Sequence, residues 1–145
     1  MRHARKIGAN RSLGSRWVIV KRKRAVIWAV FADGHPNSKV GLCHPDGFTY
    51  DEGGSYLPGK AQHWLWRRWS EYWAFVAGLK KQHRADVWAV SVGDGCDDND
   101  HDKYGLITLN KAGIVSIAAA TWEPALEVAD LRFGVRGTRA HVHHL

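Results

Sequence analysis

The feature that most constrains the fold is a long segment, from about residue 60 to 84, with the apolar spacing of an α-helix. At about 100° per residue, five large apolar side chains fall within one narrow arc: Leu65, Trp69, Tyr72, Val76 and Leu79. A helix with a single apolar stripe has to bury that stripe against another element. The chain is therefore expected to fold in layers around this helix.

Runs of β-branched and aromatic residues on both sides of the helix predict the strands of a second layer. AVIWAVFA covers 25–32 and DVWAVSV covers 86–92. RWVIV at 16–20 either pairs with the first of these runs as a hairpin or forms one bent strand with it. In both cases the sheet would begin before the helix and continue after it.

Shorter segments complete the pattern. KVGLCH at 39–44 and FTYD at 48–51 flank a turn signal and predict a hairpin. LITL at 106–109 and IVSIAA at 114–119 predict two further strands, and 121–133 predicts a short closing helix. This order of elements indicates a mixed α/β fold of one domain.

Composition limits the class of protein. The 145 residues are 45% hydrophobic and 24% charged, which excludes a disordered chain. No apolar run approaches the roughly 18 residues of a membrane span, so no membrane partner is expected. Cys43 and Cys96 lack CxxC spacing, so we expect a reducing, cytoplasmic location. The N-terminus lacks the apolar core of a signal peptide, and an amphipathic organellar presequence stays open.

The net charge of +7 belongs to the N-terminal arm, residues 1–24. Nine of the 21 Lys and Arg side chains lie there without a single acid, which leaves 12 bases against all 14 acids in the rest. Such a basic segment is typical of nucleic-acid binding, and Arg22, Lys23 and Arg24 lie next to the first long strand. A solubilising segment is the alternative. Residues 25–133 are the predicted domain, and 134–145 form a basic, His-rich tail.

Four acids occur where the chain leaves a strand or packs a helix on the sheet. Asp33 and Asp94 end the two long strands, Glu71 lies on the long helix and Asp130 on the closing helix. Ligand sites in open α/β sheets collect beyond the strand ends. Four converging carboxylates would repel one another unless divalent cations balanced them, and oxygen ligands favour Mg²⁺ or Mn²⁺. The simpler interpretation of Glu71 is a surface ion pair with Arg67.

The same residues resemble the ribonuclease H family. SEYWAFVAGLKKQHRADVWAVSVGDG at 70–95 is similar to the family's segment in which a helix carrying a glutamate leads to a strand ending in aspartate. VFADGHPNSKVGLCHPDGFTYDEGG at 30–54 is similar to its opening strand and hairpin, and Ala129-Asp130 to the pair on its closing helix. The resemblance spans roughly 25–133. It implies a ribonuclease H-like mixed β-sheet flanked by helices, preceded here by the basic N-terminal arm.

The resemblance also implies an activity, a Mg²⁺-dependent endonuclease that uses two metal ions. Asp33 would bridge both ions, Glu71 and Asp94 would complete one site, and Asp130 would support the other. One ion would activate water and the second would stabilise the leaving 3′ oxygen. The implied substrate is the RNA strand of an RNA–DNA hybrid, cleaved by a monomer.

Several residues depart from that family's pattern. Arg67 and Arg68 replace the usual paired Asn before the helix acid, Gly95 replaces a Ser, and Leu126 replaces an Asn. The two arginines would still bind phosphate, and Trp64 beside them is a candidate for base stacking. These differences leave two alternatives open: a related nuclease for another substrate, such as branched DNA or structured RNA, and a non-catalytic module that binds nucleic acid or protein.

Overall fold

The computed structural model describes residues 25–93, 95–98 and 105–135. Eight elements follow one another in this part of the chain: β1 (Val26–Phe31), β2 (Phe48–Thr49), β3 (Ser55–Tyr56), α1 (Lys60–His83), β4 (Asp86–Val92), α2 (Lys111–Thr121), α3 (Glu123–Val128) and β5 (Leu131–Val135). The α/β class predicted from the sequence is confirmed.

Among the described residues, the central sheet has three parallel strands in the order β1-β4-β5. Trp28 of β1 is level with Trp88 of β4, which is level with Leu131 of β5. A parallel register brings the carboxyl ends of β1 and β4 to the same edge of the sheet. The two short strands β2 and β3 pair antiparallel in a separate sheet, so the described strands do not form the single mixed sheet that was predicted.

The long helix and the two flanking strands occur where the sequence predicts them. α1 begins at Lys60 and ends at His83, after which Arg84 takes a left-handed conformation, with φ of 48°, and donates its backbone N–H to the Lys80 carbonyl. The side chain of Gln62 accepts from the backbone N–H of Gly59 at 3.0 Å and so caps the first turn.

One face of the sheet carries the main core. Ala29, Val87 and Ala89 are buried from the sheet side. The small alanines let Trp73 and Val76 of α1 approach closely, and α3 adds Ala125. Phe31 closes the core at the strand ends, with its ring centroid 5.0 Å from that of Trp69 and 5.2 Å from that of Trp122.

Two predictions for the C-terminal half are wrong. The run at 114–119 is not a strand but the body of α2, because Asn110 caps a helix there by accepting from the N–H groups of Ala112 and Gly113. The buried residues Ile114, Ile117 and Thr121 follow helical spacing, i, i+3 and i+7. The segment 106–109 contributes one isolated bridge, from Leu106 to Ser38.

Two other predicted elements change position. The hairpin expected around 45–47 lies instead between β2 and β3, across the turn at 50–54, and 39–44 is not a strand. The predicted closing helix ends at Val128 and is followed by β5, so Asp130 lies between helix and strand and not on a helix. The predicted strand at 16–20 lies outside the described residues.

Gln62 links three parts of this fold. Its side chain is buried, accepts from the Tyr56 hydroxyl at 2.7 Å, and donates to the carbonyls of Ser38 and Gly41 at 3.1 and 3.3 Å. We predict that Gln62→Leu lowers the free energy of unfolding by about 2–3 kcal/mol, because it leaves several buried polar groups unpaired. Urea unfolding followed by circular dichroism measures this change.

Gln82→Leu is the matched control, because Gln82 lies on the same helix and is exposed. Its substitution should change the free energy of unfolding by less than about 0.5 kcal/mol. Equal stability of the two variants would contradict a structural role for the Gln62 side chain.

Candidate functional site

A cavity of about 710 Å³ lies at the carboxyl edge of the parallel sheet. The segment after β1, the segment after β4, one side of α1 and the junction of α2 with α3 all line it. We call it the strand-end pocket. Its volume falls within the usual range of small-molecule and cofactor sites. Its place in the fold is where α/β sheets bind ligands, as expected from the strand exits.

The loop that follows β1 has an unusual backbone. Asp33, His35 and Asn37 all have positive φ angles, of 57°, 44° and 75°. Non-glycine residues adopt this conformation at a cost, and several in one loop occur where surrounding contacts hold them. Here Leu42 donates its backbone N–H to the Gly34 carbonyl at 2.7 Å. Gly41 is required because a Cβ at that position would lie 2.0 Å from the His35 carbonyl oxygen.

Asn37 holds this loop to two other segments. Its side chain is fully buried, and its amide nitrogen donates to the carbonyls of Asp97 and Thr108, both at 3.0 Å. Its amide oxygen accepts from the Thr108 N–H at 2.9 Å, and its own carbonyl accepts from the Ile107 N–H at 2.7 Å. The loop after β1 is therefore fixed against the segment that follows β4.

His35 and Asp97 face one another within the pocket lining. Nδ1 of His35 lies 3.0 Å from Oδ1 of Asp97, and the Asp97 side chain is 8% exposed against 36% for His35. A buried carboxylate on one ring nitrogen sets the orientation of an imidazole, and in its neutral form fixes the tautomer with the proton on Nδ1. That arrangement leaves Nε2 as the proton acceptor, which is the usual organisation of a histidine general base.

Aromatic side chains form the wall of the pocket on the helix side. They are Phe31, Trp69, Tyr72 and Trp122. Trp69 and Tyr72 are stacked with ring centroids 6.0 Å apart, and Trp69 Nε1 donates to the Thr121 carbonyl at 2.9 Å. This hydrogen bond fixes the indole relative to α2. Burial raises the pKa of Tyr72, so its hydroxyl stays protonated at neutral pH.

Arg68 is a cation in the pocket lining, and Asp33 is an anion there. Arg68 Nη2 pairs with Glu71 Oε1 at 2.6 Å, with both side chains about half exposed. Surface pairs of this kind contribute about 0–1 kcal/mol, so Arg68 can release Glu71 for another anion. Within the part of the chain that the structure describes, the exposed Asp33 carboxylate has no ion-pair partner.

The four predicted acids do not all meet. Asp33 lines the pocket, Glu71 is engaged with Arg68 outside the lining, and Asp94 lies outside the described residues. Asp130 is at the opposite edge of the sheet, where its backbone N–H donates to Val87. Val87 is level with Ile27, six residues before Asp33. At about 3.3 Å per residue, the four strand steps from Ile27 to Phe31 alone place Asp130 about 13 Å along the sheet from the end of β1.

The predicted two-ion cluster of Asp130 with Asp33 does not fit this placement, because Asp33 follows the carboxyl end of β1 and Asp130 precedes the amino end of β5 in the same parallel sheet. In residues 25–93, 95–98 and 105–135, no group of three or more His, Cys, Asp and Glu side chains could hold a metal ion. The requirement for Mg²⁺ or Mn²⁺ stays a prediction.

The predicted nucleic-acid-binding residues on α1 are exposed. Arg67 is exposed, Arg68 is half exposed, and Trp64 is 54% exposed on the same helix. An exposed indole beside arginines has the chemistry needed for base stacking, and this contact stays a prediction. Arg22, Lys23 and Arg24 lie outside the described residues.

Local sequence patterns do not reveal the His35–Asp97 pair or the role of Asn37. Residues 35–37 looked like an ordinary turn, and Asp97 looked like part of an acidic connector. Cys96 next to it is not a candidate nucleophile, because burial and the nearby Asp98 and Asp97 raise its pKa to about 11.

No protein-family model, curated protein or solved structure matches this chain. In the described part of the chain, no helix is long and apolar enough to cross a membrane. The site therefore has to be interpreted from its own geometry and chemistry.

Asp130 has a structural role that pH can test. Its Oδ1 accepts from Lys80 Nζ at 2.8 Å and its Oδ2 accepts from the Val87 N–H at 2.8 Å. The hydrogen bond from Lys80, followed by the one from Val87, lowers the pKa of this carboxyl below its ordinary value. A lowered pKa stabilises the fold at pH values above about 4, and this stabilisation is lost as pH falls through the folded-state pKa.

We predict that Asp130→Asn lowers the free energy of unfolding at pH 7 and that its difference from wild type shrinks as pH falls below about 4. Urea unfolding at a series of pH values measures this. Glu52→Gln, in the exposed 50–54 turn, is the control and should match wild type. If the free energies of unfolding of wild type and Asp130→Asn differ by the same amount at every pH, this structural role of the Asp130 carboxylate is contradicted.

Proposed function

We propose that this protein binds nucleic acid and hydrolyses a phosphodiester bond at the strand-end pocket. The observation that carries the proposal is that Asp33, Arg68 and the His35–Asp97 pair all line one cavity at the carboxyl edge of a parallel sheet. We also propose that β1, α1, β4 and β5 form a ribonuclease H-like arrangement with a changed set of acids, and that the protein works in the cytoplasm.

Each side chain has a distinct part in the proposed reaction. His35, oriented by Asp97, takes a proton from a water molecule, and the water oxygen attacks phosphorus. The bond from phosphorus to the leaving oxygen breaks and that oxygen takes a proton from solvent water, which yields one phosphate end and one hydroxyl end. Arg68 exchanges Glu71 for a non-bridging phosphate oxygen and offsets the charge that builds there.

Asp33 lies beside the proposed phosphate position, where two negative groups would repel one another. A divalent cation held by this carboxylate would balance their charges, and this is the physical reason to keep Mg²⁺ or Mn²⁺ in the proposal. The RNA strand of an RNA–DNA hybrid is the proposed substrate on the strength of the family resemblance. Labelled hybrid, double-stranded RNA and single strands, each incubated with and without Mg²⁺, test the substrate and the metal requirement together.

A second candidate function is ligand binding without hydrolysis. The observation that favours it is the aromatic wall of Phe31, Trp69, Tyr72 and Trp122 in a pocket of 710 Å³. Stacking on such rings contributes about 1–3 kcal/mol per base. A nucleotide-sized ligand could be held by this wall and by Arg68 with no bond broken. Binding that is unaccompanied by product would favour this function.

We predict that Asp33→Asn and His35→Gln each lower the rate of phosphodiester cleavage by about 10²-fold or more. Affinity for uncleaved substrate should stay within about threefold for His35→Gln and should stay equal or rise for Asp33→Asn, which removes a negative charge. Single-turnover cleavage and fluorescence anisotropy measure the two quantities.

Asp46→Asn is the control for these variants, because Asp46 is 90% exposed in a loop outside the pocket lining. It should cleave at the wild-type rate. Wild-type rates in both Asp33→Asn and His35→Gln would exclude catalysis at the strand-end pocket.

The basic N-terminal arm leads to a separate prediction. Replacing Arg22, Lys23 and Arg24 together with Ala should weaken binding to all sequences. It should also reduce the slope of log K, the binding constant, against log salt concentration by about 2–3, because each lost phosphate contact lowers that slope by about 0.7–0.9. Replacing the exposed Lys60, Lys81 and Lys111 removes the same charge elsewhere. An equal loss of slope in both triple variants would mean that net charge, and not the arm, sets the affinity.

A further inference from the structure

The central sheet has a second face that the described helices do not cover. Alternate residues of a strand point to opposite sides, so residues level with Trp28 and Val30 share this face, which we call the outer face. Its residues are Val26, Trp28 and Val30 from β1, Trp88, Val90 and Val92 from β4, and Leu131, Phe133 and Val135 from β5. Parallel sheets normally have both faces buried.

The outer face is apolar and largely exposed at its edges, whereas Val90 at its centre is buried and Trp88 is half-buried. Trp28 is 58% exposed, Val30 53% and Val135 57%. The rings of Trp28, Trp88 and Phe133 contact one another across the three strands, with centroid distances of 4.9 to 6.3 Å. From the exposed fractions, the face presents roughly 600 Å² of apolar surface, the size at which a patch marks an interaction site.

The side chains of the outer face indicate that its partner is another apolar protein surface. Seven of the nine positions are aliphatic or Phe, whereas nucleic acid would need polar and basic groups among the aromatics. The face has a single charged residue at its margin, Asp86. The basic N-terminal arm would bring nine cations onto a surface whose margin holds one carboxylate, whereas a second copy of the face adds only its own Asp86.

We propose that the outer face is a homodimer interface in which the sheets of two copies pack face to face, about 10 Å apart. Two such faces bury about 1,200 Å² in total, which is at the lower limit for specific protein interfaces. The dimer is therefore weak, with a dissociation constant in the micromolar range. This dimer replaces the monomer expected from the sequence, and it does not depend on the proposed hydrolysis.

Sedimentation velocity of the full chain tests the proposal. Samples from about 5 to about 200 µM, in high salt and with an absorbance ratio that excludes nucleic acid, should show a mass that rises from 16.3 kDa towards twice that value. Val30→Glu should weaken association by more than about tenfold, because it buries a charge in an apolar interface. Val115→Glu is the matched control: Val115 is 50% exposed, and it lies on α2. This variant should associate like wild type.

Circular dichroism tests whether both variants are folded. The sedimentation result for the wild-type chain does not depend on either variant. A wild-type mass that stays at one chain at about 200 µM would overturn the proposal. So would Val30→Glu associating as tightly as wild type, or a doubled mass that appears only with nucleic acid bound.

Discussion

The parallel pairing of β1 with β4 is the constraint on which the candidate site depends. Because Phe31 is level with Ser91, both strands end at the same edge, and the chain leaves them side by side. α1 lies between these strands in the sequence and covers one face with Trp73 and Val76. The site therefore results from the topology: two loops and one helix have to meet at the carboxyl edge, whichever residues they carry.

The side chains at the carboxyl edge determine what chemistry the pocket can perform. Asn37 fixes the loop after β1 against Asp97 and Thr108, and the fixed loop holds three non-glycine residues at positive φ. His35 is one of them, so the imidazole meets Asp97 only when the loop is held in this conformation. Backbone strain at a pocket edge, with a buried amide to maintain it, is the pattern expected of a functional loop.

Local sequence was sufficient to predict β1, α1 and β4. The helix has a clear 3.6-residue apolar period, and each strand is a run of β-branched and aromatic residues that ends at an Asp-Gly signal. It failed for α2, where the β-branched Ile114, Val115 and Ile117 favoured a strand and the Asn110 cap decided for a helix. The ends of parallel strands predicted the location of the pocket and the place of Asp33. The His35–Asp97 pair joins residues that are 62 apart in the sequence. Asp130 precedes β5 and therefore lies at the amino edge of the sheet, away from the pocket. Both placements depend on strand order, which local patterns do not encode.

In the proposed reaction, the strand-end pocket receives the scissile phosphate of a nucleic acid. The most direct measurement is heteronuclear NMR of the full chain titrated with a phosphorothioate oligonucleotide that resists cleavage. The imidazole signals of His35, the guanidinium signals of Arg68 and the indole signals of Trp69 should change together and saturate at one affinity. Saturable binding that shifts other residues and leaves these three unchanged would contradict this proposal.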